Sequence, residues 1–273
     1  MGKPITEWQG KWALVTGASA GIGKALAEEL AAGGTNLVLT ARRRERLEEL
    51  ARTLSTTRKI KAEVFVADLA DPAGPEKILA FTREKNIHID LLINNAGFGA
   101  YGEFATSDRA RQLEMVQVNC AAVVNLTHLF LPAMIERKSG DILILASTAS
   151  FQAVPYITVY AATKAFDLSF AEGLAEELKP DGIRVCGLCP GSTESEFRIV
   201  ADQVNVPAAN RRQETSEKVA RTGLQALAAG KSYVISGLGN YLGAHSQRIA
   251  PRRVVTSIAA KMFRPPAKTK TQQ

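Results

Sequence analysis

Short apolar runs alternate with segments of helical period almost from end to end. Residues 12–16, 36–40, 62–66, 91–94, 141–146, 183–188 and 233–235 are apolar nearly without interruption, as strands covered on both faces are. Between them, residues 22–32, 44–54, 76–84, 109–135 and 159–178 repeat apolar positions every three or four residues, the period of a helix packed along one face. This βαβα alternation predicts a doubly wound parallel sheet of about seven strands with helices on both faces, a Rossmann-like α/β fold. No low-complexity linker or internal repeat divides the 273 residues. The expected organisation is one catalytic domain over residues 1–237, followed by an appended basic helical segment over 238–273 with a disordered end. Residues 192–212 are expected to form a mobile lid.

A hydrophobic share of 46% with 22% charged residues is ordinary globular composition. No run of eighteen uncharged apolar residues appears, and residues 1–8 lack the apolar core of a signal peptide. Cys120, Cys186 and Cys189 make no disulfide framework, so a reducing, cytoplasmic setting is expected. Cys186 and Cys189, three apart on one strand, point to opposite faces and read as core packing. No metal site is expected, since His88, His128 and His245 are scattered and no second cysteine pair exists.

Charge is unevenly placed. Residues 218–273 carry ten basic and no acidic side chains, so the net +7 of the chain belongs to this segment. Tyr241, Leu242, Ile249, Val254, Val255, Ile258 and Phe263 interleave with its arginines. That pattern fits peripheral contact with an anionic membrane, and it also fits packing on the sheet or against another subunit. No nucleic-acid partner is expected.

The run Thr16-Gly17-Ala18-Ser19-Ala20-Gly21-Ile22-Gly23 follows the first strand and opens the first helix. Glycines there permit a tight turn and close approach of a pyrophosphate, and the helix N-terminus offers free amides, so dinucleotide binding is predicted. After the second strand stand Arg42, Arg43 and Arg44 rather than a carboxylate. Arg42 and Arg43 can clamp a 2′-phosphate, which favours NADP(H) over NAD(H). Their other reading, a basic first turn of the next helix, is opposed by the helix dipole. Tyr160 and Lys164, four apart on a helix, share one face, so the ammonium can sit beside the phenol and change its acidity.

These motifs, with Asp68-Leu69, Asn94-Asn95-Ala96-Gly97, Asn119, Ser147 and Pro190-Gly191 in that order, resemble the single-domain short-chain dehydrogenases/reductases over about residues 10–200. The resemblance implies an NADP-dependent oxidoreductase interconverting carbonyl and alcohol, acting on an apolar ketone, aldehyde or 3-oxoacyl compound. It implies Tyr160 as general acid and base, and Lys164 as the residue that lowers its pKa and binds the nicotinamide ribose. Ser147 would orient the carbonyl, and Asn119 would support a proton relay. Gly17, Ser19, Gly21, Ile22, Gly23, Asp68, Leu69, Asn95, Ala96, Gly97, Pro190, Gly191 and Thr193 would line the cofactor groove, with Ser195 standing where a threonine is common near the carboxamide and Thr193 the alternative donor there. A homodimer or homotetramer is implied, assembled through the two long helices. Phe98, Tyr101, Phe151, Val154, Pro155 and Tyr156 are expected near the substrate. The alternative is a catalytically silent nucleotide-binding or scaffold protein of the same fold.

Overall fold

The computed structural model describes residues 3–201, 213–247 and 249–265. Seven strands, β1 (Trp12–Thr16), β2 (Asn36–Ala41), β3 (Ala62–Val66), β4 (Leu91–Asn94), β5 (Gly140–Leu145), β6 (Ile183–Cys189) and β7 (Tyr233–Ile235), form one sheet. Its order is β3-β2-β1-β4-β5-β6-β7 and every pairing is parallel. The helices are α1 (Gly21–Ala32), α2 (Arg44–Arg58), α3 (Gly74–Glu84), α4 (Arg109–Val116), α5 (Ala122–Glu136), α6 (Thr158–Glu177), α7 (Phe197–Val200), α8 (Ser216–Ala228), α9 (Leu238–Ser246) and α10 (Arg252–Phe263).

The pleat explains why the strands read as continuous apolar runs. Ala13 and Val15, Leu37 and Leu39, Leu91 and Ile93, and Cys186 and Leu188 face a core shared with Leu26 and Leu30 of α1, Leu47 of α2 and Leu224 of α8. The alternate residues Leu14, Val38, Leu92, Ile142, Ile144 and Val185 face a second core with Ile78 of α3, Met115 of α4, Leu126 and Phe130 of α5 and Ala171 of α6. With both faces covered, neither side of a strand tolerates a run of polar residues. Cys186 and Cys189 fall into different clusters, as their spacing predicts, and burial pushes the Cys186 thiol up to about 12.

Chain order reverses between β1 and β4, and the crevice outside their carboxyl ends is where ligands bind such sheets. At the opposite ends, the buried Asp141 of β5 is a polar anchor. It accepts from the Trp8 indole at 2.7 Å and from Arg184 Nε and Nη2 of β6 at 2.6 and 2.9 Å. Arg184 also meets Glu7 at 2.9 Å, so the segment before β1 is tied to the centre of the sheet.

The helical stretch expected over 109–135 is present and continuous, but not uniform. Residues 109–136 wind as one 28-residue rod, but Gln117–Ala121 between α4 and α5 form a π-turn. The hydrophobic period of the flanking helices is unchanged by one widened turn, so the pattern cannot report it. Of the expected lid, residues 192–201 are described and include α7, while 202–212 lie outside the described residues, as does the expected disordered end over 266–273.

Candidate active site

The glycine-rich loop is shaped by contacts that exclude side chains. Gly17 and Gly21 have φ of 67° and 55°. A Cβ on Gly23 would lie 2.3 Å from the Gly17 carbonyl oxygen and 2.4 Å from Asn95 Nδ2. Asn95 donates from Nδ2 to the Thr16 carbonyl at 2.8 Å, and Thr16 Oγ1 accepts from the amides of Asn95 and Ala96 at 2.9 Å. The asparagine after β4 therefore locks the loop after β1. Helix α1 begins after Ala20, which offers no side-chain cap, so its first amide donors are left to the groove.

That groove, about 310 Å³, is lined by Gly17, Ser19, Gly21, Ile22, Gly23, Arg42, Arg43, Asp68, Leu69, Asn95, Ala96 and Gly97. A second cavity of about 200 Å³ is lined by Ser147, Tyr160, Lys164, Pro190, Gly191 and Thr193. Ile22, Asn95, Gly97, Leu145, Ser195 and Phe197 border both, so the two are one cleft. The structure thus brings the residues singled out in the sequence to a single crevice, with Asn119 packed behind it.

The arginines differ from one another. Arg42 lies 3.6 Å from Glu114, largely in solvent. Arg43 donates from Nε and Nη2 to Ser19 at 3.2 and 3.0 Å and from Nη1 to Glu196 at 2.6 Å. Arg46 reaches the same carboxylate at 2.6 Å, and the two hold the Glu196 carboxyl below its ordinary value. Glu196 was not anticipated: an acid in a Ser/Thr-rich loop carries no sign of arginines 150 residues away. Asp68 is exposed and accepts the Ala70 amide at 2.9 Å in a local turn. It does not cap α3, whose N-cap is Ala73.

Ser147 follows β5 and caps a short 3-10 turn over residues 148–151, accepting the Ala149 amide at 3.1 Å, with its hydroxyl beside the Tyr160 phenol. Ser150 donates to the Lys164 carbonyl at 2.6 Å and accepts the Ser147 amide at 3.2 Å, stapling this turn to α6. Thr193 donates to the Gly191 carbonyl at 3.1 Å, and Ser195 lies against Gly21.

The electrostatics of the tyrosine run opposite to the expectation. Lys164 and the Ser147 hydrogen bond do favour the phenolate, but burial outweighs them and the net pKa of Tyr160 is raised. The group is a protonated phenol across the neutral range, suited to donating. Burial also disfavours the Lys164 ammonium, yet Asp167 beside it prevails and its pKa is raised. Nζ donates to the Leu145 carbonyl at 2.6 Å and to Asp167 Oδ2 at 2.9 Å.

Asn119 sits in the π-turn, fully buried. Its Nδ2 donates to the Phe98 carbonyl and Thr163 Oγ1, both at 3.0 Å, and its Oδ1 accepts the Phe98 amide at 3.1 Å. The side chain is spent on holding the loop after β4 against α6. Among residues expected near substrate, Phe98 lies on the nucleotide groove under the Arg111 guanidinium. Phe151 packs towards Tyr233 and His245 instead, and Val154 is core. The apolar wall of the catalytic cavity comes from Ile157, Phe197 and Phe263. Phe263 is set by α10, and its carbonyl accepts the Tyr101 hydroxyl at 3.0 Å. Among the described residues no cluster of His, Cys, Asp and Glu could hold a metal.

The short chain dehydrogenase profile matches residues 11–222. Over 189 residues the chain is 38% identical to hydroxysteroid dehydrogenase-like protein 1 of Gallus gallus, covering 68% of this chain and 56% of that one. It is 36% identical over 220 residues to the uncharacterized oxidoreductase YmfI of Bacillus subtilis (strain 168), covering 77% and 90% respectively. A short-chain dehydrogenase from Sphingobium yanoikuyae, solved in complex with NADPH, superposes with a TM-score of 0.80 at 28% identity over 96% of this chain and 98% of that one. A glycine loop locked by Asn95, and Ser147, Tyr160 and Lys164 in the adjoining cavity, belong with this match: the protein is a member of the short-chain dehydrogenase family of oxidoreductases.

Proposed function

We propose that the protein reduces an apolar ketone, aldehyde or 3-oxoacyl compound to the alcohol, with NADPH as the preferred cofactor. The observation that carries this reading is the half-buried, protonated Tyr160 beside Ser147 and Lys164, in a cavity continuous with the nucleotide groove. The groove fits a dinucleotide: an uncapped helix N-terminus faces it, and Arg43 stands at its far end. Gly17, Gly21, Ile22, Asn95 and Gly97 would hold the cofactor, which supplies a hydride when bound. Tyr160 donates the phenolic proton to the oxygen that becomes the alcohol. Ser147 holds that oxygen and stabilises the charge developing on it. The Lys164 ammonium offsets the phenolate left behind, and Ile157, Phe197 and Phe263 keep water from the reacting face. The bulky apolar substrate class is favoured by this wall and by the hydroxysteroid name of one relative.

A panel of hydroxysteroid ketones, aliphatic aldehydes and 3-oxoacyl thioesters, followed by NADPH oxidation, tests the reading. Turnover of at least one class is expected, and absence of turnover throughout favours the silent nucleotide-binding alternative. The cofactor preference has its own check. Arg43→Ala should raise the KM for NADPH ~10- to 100-fold, the worth of a charge-assisted hydrogen bond pair, while leaving NADH nearly unchanged. Equal effects on both cofactors would remove the 2′-phosphate assignment.

The basic C-terminal segment supports a peripheral membrane role. Leu238, Tyr241 and Leu242 on α9, Ile249, and Val254 and Ile258 on α10 are exposed, with Arg252, Arg253 and Lys261 beside them. An isologous contact between two copies would set one acid-free cationic segment against another, whereas an anionic lipid surface complements it. Co-sedimentation with phosphatidylserine-containing vesicles, but not with phosphatidylcholine alone, is expected, and Val254→Glu with Ile258→Glu should abolish it. A dimer that these two substitutions dissociate would assign the face to a second copy.

A further inference from the structure

Lys164 is held at its charged end by a carboxylate of its own helix. Asp167, one turn further along α6, is fully buried. Its Oδ2 accepts Lys164 Nζ at 2.9 Å, while its Oδ1, equally buried, has no hydrogen-bond partner among the described residues. A carboxylate in this position is costly, since one oxygen has lost its water without replacement. A polar helix position serving structure alone would turn to solvent or hold both oxygens.

We propose that Asp167 is a positioning residue of the Tyr160–Lys164 centre, a buried counter-ion that keeps the Lys164 ammonium charged and aimed. The inference rests on the reductase reading for its catalytic consequence, and on geometry alone for the ion pair.

The groups that face Asp167 are few. Lys164 and Tyr160 come from its own helix, and Cys120 comes from the π-turn. From β5 the Leu145 carbonyl shares the ammonium, and from β6 the Cys189 thiol lies within the field of Lys164. Burial pushes Cys120 up to about 12, so it is a neutral thiol, and among the described residues Lys164 is the cation opposing Asp167. Burial lifts the Asp167 carboxyl to about 6 against the pull of Lys164.

The consequence follows by charge. Above that value the carboxylate balances the buried ammonium and fixes Nζ between two acceptors. Below it, Lys164 keeps one acceptor and loses its counter-ion, so the ammonium is less well held and deprotonates more readily. Asp167 touches neither cavity nor groove, so its removal should be read in kcat rather than in KM for the carbonyl.

Infrared difference spectroscopy tests the ion pair without any substrate. The native protein should gain a protonated-carboxyl band as pH falls through about 6 that Asp167→Asn lacks. With a carbonyl from the panel, native kcat should fall on the acid side around that pH. Asp167→Asn should lose this acid limb, show kcat lower by roughly tenfold, and move its alkaline limb down by about one pH unit. Asp167→Glu, which keeps a carboxylate, should restore an acid limb. If Asp167→Asn fails to fold, the native band and the Asp167→Glu profile still decide. A native protein without the band, or a folded Asp167→Asn with an unchanged profile, overturns the proposal. A band present with no carbonyl turned over leaves the ion pair standing and removes the reductase reading.

Discussion

Tyr160→Phe should lower kcat/KM for carbonyl reduction by ~10³-fold, about 4 kcal/mol of transition-state stabilisation, while NADPH binding changes little. The phenol is the acidic hydrogen donor within reach of the cavity whose pKa burial holds above its ordinary value, so it arrives at the reaction protonated. Phenylalanine keeps the ring, which packs 5.2 Å from Phe197, and removes only the hydroxyl beside Ser147. Single-turnover kinetics with bound NADPH separate the two possibilities cleanly. A variant retaining more than about a tenth of native activity would mean that water or Ser147 delivers the proton.

The second large effect is on stability. Asp141→Ala should destabilise the fold by about 3 kcal/mol, measured as a shift in the urea midpoint at unchanged slope. The loss is not one hydrogen bond. It strips the buried Trp8 indole of its acceptor and leaves the Arg184 guanidinium, whose pKa this carboxylate raises, with Glu7 and the Ala228 carbonyl. Asp141→Asn should recover part of the difference, because an amide oxygen can still accept from Trp8. A loss below about 1 kcal/mol would place the cluster with ordinary surface ion pairs and show that solvent reaches it freely.

What the sequence revealed follows from how each feature is encoded. The strands were legible because a sheet covered on both faces leaves little room for polar residues on either pleat, as Leu14 between Ala13 and Val15 illustrates. Tyr160 and Lys164 were legible because the helical period alone puts them on one face. Other contributors were silent for physical reasons. Asp167 looks like any polar residue of a half-exposed helix until the tertiary structure buries it. Glu196 matters only through Arg43 and Arg46, which the fold brings to it from far upstream. Phe263 lies beyond the matched family region, and its place in the catalytic cavity depends on how α10 docks. The direction of the Tyr160 shift also escaped, because spacing reveals the neighbouring charge but not the depth of burial that opposes it.

The π-turn carries a consequence for how this chain can change over generations. Gln117–Ala121 accommodate one residue more than a regular helix would need. Deleting that residue would cost the helix nothing locally, since the ladder of hydrogen bonds would become more uniform. The flanking helices would keep their faces, since the widened turn had absorbed the extra residue, but the bulge that seats Asn119 would be gone. Asn119 would then be drawn away from Phe98 and Thr163 together, while the apolar stripe of α5 stayed on the sheet. The more regular helix is therefore the non-functional one. Length polymorphism in this rod should be purged even where substitutions at its exposed positions drift freely.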